Sequence, residues 1–171
     1  PDPAQMQLRK VLSSGFGIEP ENILAGNGSD ELIDLLFRAF VEPERSNVII
    51  PQPTYGMYEV LARIQNAEVR KPFLNSDFSL NAQSVLDATD GDSRIVFLCS
   101  PNNLSGNEFS AQDVEMVIKN FPGLVVLDQA YADFSSKMPW RNRISEFPNL
   151  VVLQTFSKAW GLASLRVGFM F

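Results

Sequence analysis

The feature that most constrains this chain is a series of short apolar runs separated by segments of helical periodicity. Arg94–Cys99 is apolar after its first residue, and Leu124–Leu127 and Leu150–Leu153 are apolar throughout. Runs this short and continuous suit strands buried on both faces. Asn22–Ala25, Asn47–Ile50, Ala67–Lys71 and Arg166–Phe171 complete seven strand candidates. Between them lie helical patterns at Asp30–Val41, Thr54–Asn66, Asn81–Ala88 and Ser110 to about Asn120. In the first of these, Leu32, Leu35, Leu36, Ala39 and Phe40 fall on one face. Ser29 and Asp30 read as its cap and first turn, and Asn81 as the cap of the third. The stretch from Ser135 to Phe147, cut by Pro139 and followed by Pro148, fits neither pattern. Strands alternating with amphipathic helices predict an α/β fold: a mainly parallel seven-stranded sheet with helices on both faces, in one unit over 1–171.

Composition removes several kinds of chemistry. The 171 residues carry a net charge of −6, a poor match to polyanions or an anionic membrane, so neither nucleic acid nor membrane is an expected partner. There is no histidine and a single cysteine, Cys99. That excludes a disulfide framework and a Ser-His-Asp or Cys-His mechanism within the chain, and no metal is expected. No apolar run approaches the ~20 residues that span a bilayer, and no signal peptide is evident; the expected location is cytoplasmic.

Open α/β sheets bind ligands beyond the carboxyl ends of their strands. The notable polar residues of this chain fall there. Gly26-Asn27-Gly28-Ser29-Asp30 follows the first strand, Tyr55 the second, Asn103 the fourth, Asp128 the fifth, and Thr155, Ser157 and Lys158 the sixth. Arg166 comes eight positions after the lysine. A lone lysine is most often a solvated surface charge. At a strand end beside hydroxyls and an arginine, it suits a cofactor with an aldehyde and a phosphate, which points to pyridoxal 5′-phosphate. The amine can form a Schiff base, while hydroxyls and guanidinium hold the phosphate. The glycine-rich turn offers backbone N–H groups to the same anion. It lacks the third glycine of a dinucleotide fingerprint and the Gly-Lys-Ser/Thr ending of a P-loop, which disfavours nucleotides.

The other segments are weaker alone. Asp128, after an apolar strand, could pair with a pyridinium nitrogen, or could be an ordinary loop carboxylate. Tyr131 and Asn103 could bond a ring hydroxyl, and Tyr55 could stack on a flat ring; each could equally be packing or turn chemistry. Thr155 and Ser157, two apart, point the same way if the backbone stays extended. Phe156, Trp160, Phe169 and Cys99 read as core.

Five segments in order, GNGSDELIDLLFRAF (26–40), PQPTYGMYEV (51–60), CSPNNLSGN (99–107), VVLDQAYADF (125–134) and TFSKAWGLASLRVGF (155–169), resemble the fold-type I pyridoxal-phosphate-dependent aminotransferases. Within them the likeness is to the histidinol-phosphate aminotransferase family. The resemblance implies that Lys158 is the catalytic Schiff-base lysine and that Asp128 pairs with the ring nitrogen. It implies that Asn103 and Tyr131 bond the ring oxygen and that Tyr55 stacks on the ring. The backbone of Ser29 and Asp30 and the side chains of Thr155, Ser157 and Arg166 would hold the phosphate. Leu104-Ser105 replaces the Pro-Thr usual after the second asparagine, and Gln129 replaces a glutamate that does not touch the cofactor.

The implied reaction exchanges an amino group between L-histidinol phosphate and 2-oxoglutarate, in a homodimer taking an amino donor and a 2-oxo acid. Aromatic amino-acid aminotransferases and pyridoxal-phosphate-dependent phospho-amino-acid decarboxylases share most of these motifs. Family members are about twice this length. The chain is therefore expected to be the cofactor-binding large domain without its N-terminal arm and C-terminal small domain. A truncated, inactive cofactor-binding domain is the alternative of another class.

Overall fold

The computed structural model describes residues 2–137 and 139–171. Seven strands form one sheet: β1 Leu24–Asn27, β2 Asn47–Ile49, β3 Glu68–Arg70, β4 Ser93–Cys99, β5 Leu124–Asp128, β6 Leu150–Thr155 and β7 Val167–Met170. Their order across it is β1-β7-β6-β5-β4-β2-β3. β2–β6 pair in parallel, while β7 runs antiparallel to both β1 and β6. The expected mainly parallel sheet is what forms.

Among the described residues five helices cover it: α1 Met6–Phe16, α2 Gly28–Phe40, α3 Met57–Ile64, α4 Ala82–Asp87 and α5 Ala111–Asn120. The central strands alternate between two cores, as the period of two demands. Val96, Leu98, Val125, Leu127 and Val152 pack with Leu12 of α1, Val85 of α4 and Val114 and Val117 of α5. Ile95, Phe97, Cys99, Val126 and Leu153 pack with Leu32, Leu36 and Phe37 of α2 and Tyr58 and Leu61 of α3. Helices thus lie on both faces.

Local chemistry sets several boundaries. Asn81 and Ser110 cap α4 and α5, their side-chain oxygens accepting from the Ser84 and Asp113 N–H groups at 3.0 and 3.1 Å. The N-cap of α2 is Asn27 rather than Ser29, and no side chain caps it. Glu31 reaches back instead, its carboxylate accepting from the Asn27 N–H at 2.6 Å. β1 begins two residues later than expected and runs through Gly26 and Asn27, because those residues pair with Gly168 and Val167 of β7. The stretch of mixed pattern contains a 3-10 turn at Trp140–Glu146. Trp160 is not core: it is 55% exposed, with its indole N–H donating to Asp133 at 3.0 Å.

Candidate active site

The segments that follow β2, β4, β5 and β6, the start of α2 and the residue before β7 line a cavity of about 150 Å³. Its walls contain every residue expected from the sequence: Ser29, Asp30, Tyr55, Asn103, Asp128, Tyr131, Thr155, Ser157, Lys158 and Arg166, together with Cys99 and Ala130.

Asp128 closes β5, in register with Cys99 of β4 and Leu153 of β6. Its carboxylate is buried. One oxygen accepts from the Tyr58 hydroxyl at 2.6 Å and the other from the Ala130 N–H at 2.9 Å. Burial pushes the carboxyl above the usual aspartate range, with a smaller push from the Asp30 charge. The two hydrogen bonds and the Lys158 charge oppose this. Across the cavity Lys158 is exposed on the turn after β6, with its Nζ 5.4 Å from the Tyr131 ring centroid. The Asn103 amide donates to the Tyr131 hydroxyl at 2.9 Å.

Another group of the lining residues is built for an anion. The first turn of α2 presents its N–H groups there, a geometry that attracts phosphate. One glycine lets β7 approach that turn, and another supplies the positive φ with which the turn begins. A Cβ on Gly168 would lie 2.4 Å from the Ser29 nitrogen, and one on Gly28, where φ is +76°, would lie 2.4 Å from an Arg166 guanidinium nitrogen. Arg166 itself sits at φ +51°, a left-handed conformation that costs a non-glycine residue about 1–3 kcal/mol. The strain accompanies two contacts: its carbonyl accepts from the Gly28 N–H at 2.8 Å, and its guanidinium reaches the mouth of α2, 3.8 Å from Asp30.

Thr155 and Ser157 do meet, their hydroxyl oxygens 3.0 Å apart, although not on an extended backbone. The strand ends at Thr155, and a turn in which the Ser157 N–H donates to Thr155 Oγ1 at 3.1 Å brings them together. Tyr55 donates to Asp30 at 3.1 Å; burial first, and then that carboxylate, push its hydroxyl up to about 12. Cys99 is likewise pushed to about 12, chiefly by burial, so its thiol is neutral at physiological pH.

Sequence reasoning passed over Tyr58. The available signal was a tyrosine on the apolar stripe of α3, where Tyr58, Leu61 and Ala62 are buried at i, i+3 and i+4. A phenol buried there needs a polar partner, and Asp128 is it. Among the described residues no cluster of three or more histidine, cysteine or acidic side chains could hold a metal ion. No described helix is long and apolar enough to cross a membrane.

The sequence family described as aminotransferase class I and II matches residues 2–171. This chain belongs to that family. Pyridoxal phosphate is the family's cofactor. The histidinol-phosphate aminotransferase of Christiangramia forsetii is 52% identical over the whole chain, which covers 49% of that relative. Among solved structures, the histidinol-phosphate aminotransferase of Sinorhizobium meliloti in complex with pyridoxal-5′-phosphate matches with a TM-score of 0.89 at 26% identity. That match covers 100% of this chain and 47% of that one. The L-threonine-O-3-phosphate decarboxylase of Porphyromonas gingivalis matches with a TM-score of 0.82, also at 26% identity, over 99% of this chain and 52% of that one. The chain spans about half the length of the curated relatives it matches.

Proposed function

We propose that this chain is the cofactor-binding large domain of a pyridoxal-phosphate-dependent aminotransferase that acts as a homodimer on L-histidinol phosphate and 2-oxoglutarate. The observation that carries the reading is that the amine of Lys158, the buried carboxylate of Asp128 and the anion cup of α2 and Arg166 line one cavity. The fit to pyridoxal phosphate rests on that cup: the missing Cβ of Gly168, which would collide with the Gly28–Ser29 backbone, leaves the α2 N-terminus open beside Arg166.

When bound, the cofactor supplies an aldehyde that condenses with amines and a ring that withdraws electrons from them. The chain's residues do the rest. Backbone N–H groups of Ser29 and Asp30, with Thr155, Ser157 and Arg166, would hold the phosphate. Asp128 would keep a proton on the ring nitrogen, which would strengthen the electron withdrawal. Asn103 and Tyr131 would bond the ring oxygen, and Tyr55 would stack on the ring. Lys158 would move the proton between the substrate Cα and the cofactor's C4′, as a general base and then acid.

The substrate assignment rests on the 52% identical relative. A second reading, decarboxylation of a phosphorylated amino acid, is favoured by the likeness to the Porphyromonas gingivalis enzyme. A substrate panel on the full-length protein separates them: a keto product from histidinol phosphate supports the first, and an amine with released CO₂ supports the second.

A further inference from the structure

Tyr58 stands behind the cavity wall on α3, yet it makes the shorter of the two hydrogen bonds to the carboxylate of Asp128. We propose that Tyr58 is a positioning residue, which fixes the orientation of the Asp128 carboxylate and favours its ionised form for the cofactor's ring nitrogen. The inference rests on the pyridoxal-phosphate reading above.

The geometry argues it in three steps. First, each oxygen of Asp128 has one donor of its own, Tyr58 or the Ala130 N–H, so the carboxylate cannot turn without breaking a buried hydrogen bond. Second, the donor is itself immobile. Tyr58 is fully buried, stacked on Phe97 at 4.7 Å with 12° between the rings, and meets Tyr55 edge-on at 5.5 Å. The same ring thus braces both the carboxylate and the tyrosine that faces the cavity. Third, packing alone would not call for the hydroxyl. Phenylalanine fills the same stack without burying a polar atom, and a buried hydroxyl without a partner is unfavourable. Burial, and then the nearby Asp128 charge, keep Tyr58 protonated and therefore a donor. The other titratable groups facing this pair are Asp30, Lys158, Cys99 and Tyr55.

The test is a double-mutant cycle on the full-length protein, reading pyridoxal phosphate affinity by fluorescence titration and apoprotein melting temperature. Tyr58→Phe should weaken cofactor binding about tenfold, the scale of a hydrogen bond to a charged group, while the apoprotein melts within a few degrees of wild type. In an Asp128→Asn background the same change should alter affinity less than about twofold, because no carboxylate remains to be held. Unchanged affinity in Tyr58→Phe overturns the proposal. So does an equal loss in both backgrounds, which marks a merely structural tyrosine. Wild-type protein that does not bind pyridoxal phosphate overturns the underlying reading instead, so the two failures are distinct. A measurement on unmutated apoprotein needs no variant: with ¹³C-labelled aspartate, Asp128 should be ionised at pH 7, and a protonated carboxyl there contradicts the proposal.

Discussion

At the scale of single residues, the site sets three charges against one another, and each predicts a different measurement. Lys158→Ala removes the only primary amine among the described residues of the cavity wall. Turnover should fall by at least about a thousandfold while the apoprotein keeps its melting temperature, since the side chain is exposed. Arg166→Ala removes a cation from the anion cup. It should weaken pyridoxal phosphate binding roughly 10- to 100-fold in equilibrium titration, the range for a charge-assisted hydrogen bond. Asp128 titrates against the usual direction for a folded carboxylate. Burial raises its proton affinity above the unfolded value, so it favours folding at acidic pH. That contribution is lost as pH rises through the raised value. Melting the Asp128→Asn apoprotein from about pH 4 upward should show a smaller loss of stability with rising pH than wild type. A steeper loss would mean that the carboxylate stabilises the fold.

At the scale of elements, local signals and tertiary pairing divide the credit. The helix starts at Asn81 and Ser110 were legible because a side chain and its backbone partner lie three residues apart. Replacing either by alanine should lower stability by about 1 kcal/mol in denaturant unfolding. β1 was misplaced because Gly26 and Asn27 look like a turn, and only the distant β7 makes them strand. The antiparallel direction of β7 had no local signal either. Helix α1 had no start signal, since Gln5 caps it without a side-chain bond, although Leu8, Leu12 and Phe16 form a stripe packed on the core. The strand-end residues were legible as a set, since position after a strand fixes where a side chain emerges. The contacts among them, such as Tyr58 to Asp128 across 70 positions, were not. The junction of β7 and α2 gives its own prediction. Gly168→Ala places a Cβ 2.3 Å from the Gly28 carbonyl carbon, forcing the helix start away from the strand. It should cost about 1–3 kcal/mol of stability in denaturant unfolding and weaken pyridoxal phosphate binding in equilibrium titration.

At the scale of the whole molecule, the sheet serves as a rigid frame whose carboxyl edge gathers groups from β4, β5, β6 and α2 into one cavity. A ligand that binds only the folded frame must stabilise it: cofactor at 100 times its dissociation constant should add about 2.7 kcal/mol to unfolding. The central claim is that Lys158 receives pyridoxal phosphate in this cavity. Its most direct test is to load the full-length protein with the cofactor, reduce with borohydride and map the modified peptide by mass spectrometry. The account predicts one covalent adduct, on Lys158, absent when Lys158 is alanine. An adduct on another lysine, or none at saturating cofactor, would contradict it.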